Sequence, residues 1–277
     1  MDLADCTEDD ERYSAREFSR LSPGDIARKR RLLVCVDEIC RGKAFYRRDT
    51  RDGKAPCFGS NEHHPDCAQA GPVSRVAPGG SPQDQAELLN LGDRIHVVLT
   101  GDDPDEVHLD SDHPEGRKPS GRHILVPDGP GARRAISRRK LLSLLRNLVQ
   151  SEGFRNSDVE ILVDGFPPMA AREFFVRFAD IAKARYTGKH RGYWGTIVDA
   201  RTRSAGDALW LNSGSPDEPS VMIPSDKKAA FFRLHPDIEL EDLAGAWVLA
   251  LGTYQPSFTG KRLVKVNHAS EIAVLVP

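Results

Sequence analysis

Four of the five cysteines fall between positions 35 and 67, as Cys35, Cys40, Cys57 and Cys67, with His63 and His64 among them. Their neighbours are Arg, Asp, Lys and Pro rather than an apolar run, so the thiols do not read as small core residues. In a chain without secretory features, such crowding argues for a metal before a disulfide. Zinc takes four thiolate or imidazole ligands in a tetrahedron, usually offered as two closely spaced pairs. Cys35 and Cys40, with four residues between them, make the first pair. His63 or His64 with Cys67 makes the second, and Cys57 with Cys67 is a looser version. Phe45-Tyr46 and the Asp52-Gly53 turn predict a small β-hairpin between the pairs. Gly42 and Gly59 each follow a ligand position by two residues, where a knuckle must turn backbone amides toward sulfur. Four protein ligands close the site and leave no position for a substrate water, so a structural zinc is expected. Cys6, in an acidic segment, has no partner motif.

At 277 residues the chain has room for two or three modules. Its 39 Lys and Arg against 41 Asp and Glu exclude a histone-like polycation, but the balance conceals segregation. Residues 12–54 and 117–155 are basic, whereas 102–115 carries only acids. Solvated faces explain any one such run; several basic blocks beside structured modules favour a polyanion partner. No apolar stretch approaches the roughly 20 residues of a membrane span. The opening MDLADCTEDDERYS lacks the features of a secretory signal. The expected location is the cytoplasm.

Composition shifts predict three parts: a zinc-binding module over 1–75, a middle α/β region over 76–187 and a β-rich part over 188–277. The zinc module resembles a zinc ribbon. In the middle, residues 94–99 and 123–126 read as two strands paired across a long polar loop. Ser137 is placed to cap a helix bearing Leu141, Leu142, Leu145, Leu148 and Val149, with Arg138, Arg139, Lys140 and Arg146 on its other face. Residues 159–163 read as a strand, and 170–184 as a helix burying Phe174, Phe175, Phe178 and Ile181.

The C-terminal part reads as strands at 193–200, 208–212 and 220–223, a short helix at 226–232, then strands at 246–254, 263–267 and 272–276. This succession resembles the OB-fold, a five-stranded Greek-key barrel with its helix between strands three and four. The resemblance implies a ligand across strands two and three, flanked by the loops after strands one and four. On this chain that face holds Trp210 and Met222, with Arg201 and Arg203 in one loop and Phe258, Lys261 and Arg262 in the other, beside Tyr254. Aromatic faces stack bases while cations hold phosphates, so single-stranded nucleic acid is the implied partner. Arg47 and Arg48, with Arg41 and Lys43, would add phosphate contacts from the zinc module. Trp194, Trp210 and Trp247 have core packing as their plain alternative.

Two other functions stay open. One is a protein-interaction scaffold, with structural zinc and the acidic segment 102–115 docking a basic partner. The other is a metal-dependent hydrolase or nuclease at His108-Leu-Asp-Ser-Asp-His113. That run resembles the HxHxDH signature of metallo-β-lactamase-like hydrolases, with Asp110 in place of the second histidine. Asp158, Glu160, Asp164 and Lys140 are further nuclease candidates. No P-loop, GxGxxG, GxSxG or HExxH is present. The sequence therefore points to an α+β multidomain chain that binds nucleic acid without catalysis and assigns no catalytic residue.

Overall fold

A computed structural model describes residues 1–49, 55–70, 94–99, 123–128, 132–181, 185–202, 207–214, 217–257 and 260–276, with backbone alone for 123–128 and 132–137. β1 (Leu3–Cys6) turns Ala4 and Cys6 inward and lies between antiparallel β2 (Arg12–Ser14) and β3 (Leu33–Val34). Cys6 is thus a core residue. Ser14 opens α1 (Ala15–Ser19) through a capping box with Glu17, and Ser22 before Pro23 opens α2 (Pro23–Lys29). The Phe18 ring of α1 sits 4.8 Å from Tyr46 of β4 (Phe45–Arg47) and 5.6 Å from Phe58 of β5 (Cys57–Gly59). β4 and β5 form the expected antiparallel hairpin; the Asp52-Gly53 turn lies outside the described residues.

The middle region contains β6 (Arg94–Val98), β7 (His123–Asp128), β8 (Ala132–Lys140), α3 (Leu141–Gln150), α4 (Glu152–Arg155), β9 (Glu160–Leu162), β10 (Met169–Ala170) and α5 (Ala171–Phe174). Its sheet has the order β10-β9-β6-β8-β7, with β6 parallel to both β8 and β9. The sequence-based pairing of 94–99 with 123–126 is corrected here: β8 lies between them. Its basic sequence ARRAISRRK hides a strand in which Arg139 is buried. Ser137 is consequently a strand residue, and the leucine helix starts at Leu141 with Lys140 at its N-cap. The helix expected over 170–184 is also corrected. It is one turn, α5, followed by β11 (Phe175–Arg177), because Phe175 and Val176 pair in parallel with the next strand.

That strand, β12 (His190–Thr196), is followed by β13 (Asp199–Thr202), β14 (Leu209–Asn212), β15 (Ser220–Ile223), α6 (Ser225–Leu234), β16 (Trp247–Pro256), β17 (Arg262–Lys265) and β18 (Ile272–Leu275). They form an eight-stranded sheet of order β11-β12-β16-β17-β15-β14-β13, with β18 also on β16. β15 and β17 pair in parallel, whereas β13, β14 and β15 are successive antiparallel neighbours. No closed barrel forms among the described residues, because end strands β11 and β13 do not pair. Only Ile197 and Val198 separate β12 from β13. The Ile197 amide bonds Ala246 on the β16 side, and the Val198 amide bonds Asn212 on the β14 side. Leu209, Leu211, Val221, Ile223 and Val264 face the core. The middle and C-terminal regions share a second core, where Leu144, Leu145 and Leu148 of α3 join Trp194, Leu249 and Ala273.

Candidate functional site

Cys35 lies just after β3, and its amide donates to the Gly42 carbonyl, closing the first knuckle. The Asp37 carboxylate fixes this loop: Oδ1 accepts from the amides of Ile39 and Cys40, and Oδ2 from that of Ala68. Asp37 thereby ties the loop carrying Cys40 to the one carrying Cys67, and these amide bonds hold its carboxyl below the usual range. Gly42 is required by a close approach, since a Cβ there would stand 2.2 Å from the Glu62 carbonyl oxygen.

Within this frame the ligand atoms of Cys35, Cys40, His63 and Cys67 all lie within 4.8 Å of one another. Cys35 Sγ is 3.7 Å from Cys67 Sγ, and His63 Nδ1 is 3.4 Å from Cys40 Sγ and 3.2 Å from Cys67 Sγ. A disulfide needs sulfurs about 2.05 Å apart. Ligands at about 2.3 Å (sulfur) and 2.0–2.1 Å (nitrogen) around a tetrahedral ion stand about 3.5–3.8 Å from one another, close to these separations. The four residues therefore fit a metal ion.

The surrounding groups favour charged ligands at some positions and resist them at others. Burial pushes the Cys35 thiol up to about 12, a cost that a bound cation would offset. Burial opposes the Cys40 thiolate too, but amides of His64 and Gly42 outweigh it and bring that thiol below its ordinary value. The Gln69 amide donates to Cys67 Sγ. Burial lowers the His63 pKa, favouring the neutral imidazole that can ligate.

Cys57, carried with the metal group in the sequence reading, stands outside the cluster. It is exposed on β5 opposite Arg47 and is not among the clustered ligand atoms. His64 is exposed and supplies its amide to Cys40 Sγ.

The residues beside the ligands also hold the N-terminal module on the large sheet. Asn61 Nδ2 donates to the Gly245 carbonyl (2.6 Å), and Glu62 pairs with Arg177 at 2.7 Å. The Phe45 ring packs with Val198 and Ala244 and touches Gly245, which has φ +83° and no room for a Cβ. Arg47 Nε donates to the Ala244 carbonyl, and Lys43 pairs with Glu218. Arg47 is thus committed to the seam, whereas Arg48 is exposed.

On the large sheet, Arg201 of β13 stands directly opposite Trp210 of β14, and Lys261 Nζ lies 5.1 Å from the Trp210 ring centre. Asp199, Arg201, Trp210, Asn212 and Met222 share the face turned from the core, as the strand registers require. Lys261 also donates to Asn212 Oδ1. Tyr254 is fully buried against Tyr193 and contributes to the core, not to this face. Arg262 is buried and pairs with Asp217. Arg203, Phe258 and the segment His108–His113 lie outside the described residues.

Sequence reasoning missed Asp37, Asn61 and Glu62. Asp37, three residues before Cys40, carried a readable turn signal; Asn61 and Glu62 carried none. The fold and site together define a mixed α/β chain with a Cys3His cluster able to bind a metal ion. No protein-family model matches the chain, and no curated protein is significantly similar to it. No helix among the described residues is long and apolar enough to cross a membrane.

Proposed function

We propose that the protein binds single-stranded nucleic acid without catalysis, through the outer face of β13, β14 and β15, and that Cys35, Cys40, His63 and Cys67 hold a structural zinc ion. Three thiolates and an imidazole suit zinc, and four protein ligands leave no open position for chemistry. The bent run through β12 and β13 exchanges β16 for β14 as its partner at Ile197–Val198. With the parallel β15–β17 pair and α6 between β15 and β16, this supports an OB-type strand order. One observation carries the proposal: Arg201 and Trp210, paired across β13 and β14, are joined by Lys261 from far along the chain, on the face that the OB-fold resemblance would give to an oligonucleotide. Trp210 would stack a base and the two cations would hold its phosphates.

The test is tryptophan fluorescence of the zinc-loaded protein titrated with single-stranded DNA and RNA across a salt series. Binding should weaken steeply with salt. Trp210→Ala should cost about 1–3 kcal/mol. Absence of binding to any single strand contradicts the proposal. The scaffold alternative has its own observation, the commitment of Arg47, Arg262 and Tyr254 to internal contacts. It requires a protein partner to co-purify with a chain that ignores oligonucleotides.

A further inference from the structure

Asn212 of β14 stands opposite Asp199 of β13 on one side and Ser220 of β15 on the other, and none of the three is more than 3% exposed. Asn212 Nδ2 donates to Asp199 Oδ2 at 3.1 Å and to the Asp199 carbonyl at 3.4 Å. Its Oδ1 accepts from Ser220 Oγ at 2.9 Å and from Lys261 Nζ at 3.0 Å. A side-chain amide has two donors and two acceptor positions, so all of them are used. The neighbours also dictate which way the amide points. A carboxylate accepts and an ammonium donates; a flipped Asn212 would set oxygen against oxygen at Asp199 and N–H against N–H at Lys261. Asp199 is anchored in turn from the N-terminal module. Arg30 Nε stands 3.4 Å from its Oδ1, and Arg30 Nη2 donates to the Tyr46 carbonyl of β4.

We infer that Asn212, oriented by Asp199, is a positioning residue that holds Lys261 beside the Trp210 ring, so that the cation and the stacking platform stand ready before a nucleic-acid strand arrives. The role assigned to the pair rests on the nucleic-acid proposal above; the geometry does not. Lys261 Nζ lies 5.1 Å from the Trp210 ring centre. A lysine side chain has much rotamer freedom to lose when it grips a ligand. One that is already hydrogen-bonded to a buried amide loses less on binding, which is preorganisation. A buried carboxylate and amide are costlier than the apolar Leu209, Leu211 and Val221 that fill the other face of the same strands. What the polar pair adds is an ammonium fixed next to an indole. The order Arg30, Asp199, Asn212, Lys261 crosses from the N-terminal module to the outer face of the sheet through printed contacts between charged or amide groups at each step.

The experiment combines side-chain NMR of the full-length, metal-loaded protein with titration of single-stranded DNA and RNA. In the wild type the Trp210 ring current should move the Lys261 Hε resonances upfield. Asn212→Leu and Asp199→Asn should return them toward free-lysine values. Unshifted resonances in the wild type, or a shift that survives both variants, overturn the inference. Should these buried variants not fold, Lys261→Met decides the matter: the Asn212 side-chain amide resonances should move when the ammonium is removed, and unmoved resonances overturn it. For binding, Asn212→Leu and Lys261→Met should each weaken affinity about tenfold, and the double variant no more than either alone. Losses that add in full, or an Asn212→Leu variant that binds as the wild type does, overturn the positioning role. A wild type that binds no strand ends the nucleic-acid proposal, and the Lys261 and Asn212 resonances then support or overturn the positioning role by themselves.

Discussion

Asp5 illustrates how single residues set the pH range of the N-terminal module. A hydrogen bond from Arg12, helped by another from Arg41, outweighs burial and holds its carboxyl below the usual range. A depressed folded-state pKa contributes stability that is fully present above the unfolded value of about 3.9 and is lost as pH falls through the folded value. Asp5→Asn should therefore lower the melting temperature near neutrality, with the gap from wild type closing below about pH 4. A gap that stays constant across the acid range would contradict this ion-pair role. Gly42→Ala tests the metal knuckle: the added methyl meets a backbone carbonyl rather than a yielding side chain. Metal affinity should fall about tenfold or more in a chelator competition. The Cys35–Cys40 pair was legible in the sequence because its spacing is local. The exclusion of Cys57 was not, because it depends on where β5 lies in the folded chain.

At the scale of elements, the strands and helix of the C-terminal part were readable from apolar alternation and length. The middle was less so, for two physical reasons. β8 is a basic strand whose pattern at 138–140 merges with the helix after it, and Phe174, Phe175 and Phe178 have aromatic side chains that suit either period. Parallel pairing with β12 decides the second case. The hairpin of β4 and β5 does more than support the metal loops. Its Phe45 fills the gap over Val198 and Ala244, a contact between residues far apart in the chain. Phe45→Ala should cost about 3 kcal/mol in urea unfolding. A change under about 0.5 kcal/mol, as at ordinary surface sites, would show that the hairpin is not docked there.

For the whole molecule, metal binding and docking are coupled on the proposed reading. His63 of the Cys3His cluster lies in the same segment whose Asn61 and Glu62 grip Gly245 and Arg177. Chelation should raise hydrogen exchange across 33–47 and 57–67 while β16 and β18 stay protected, because the two inner cores do not involve the metal. Uniform loss of protection would place the metal elsewhere in the folding scheme. The most direct measurement is the zinc content of purified full-length protein, wild type beside Cys67→Ser and Cys57→Ser. A single tetrahedral site requires one zinc per chain in the wild type and in Cys57→Ser, with loss in Cys67→Ser. A wild type free of zinc after expression in zinc-replete medium, or zinc lost with Cys57, would contradict the Cys35–Cys40–His63–Cys67 centre.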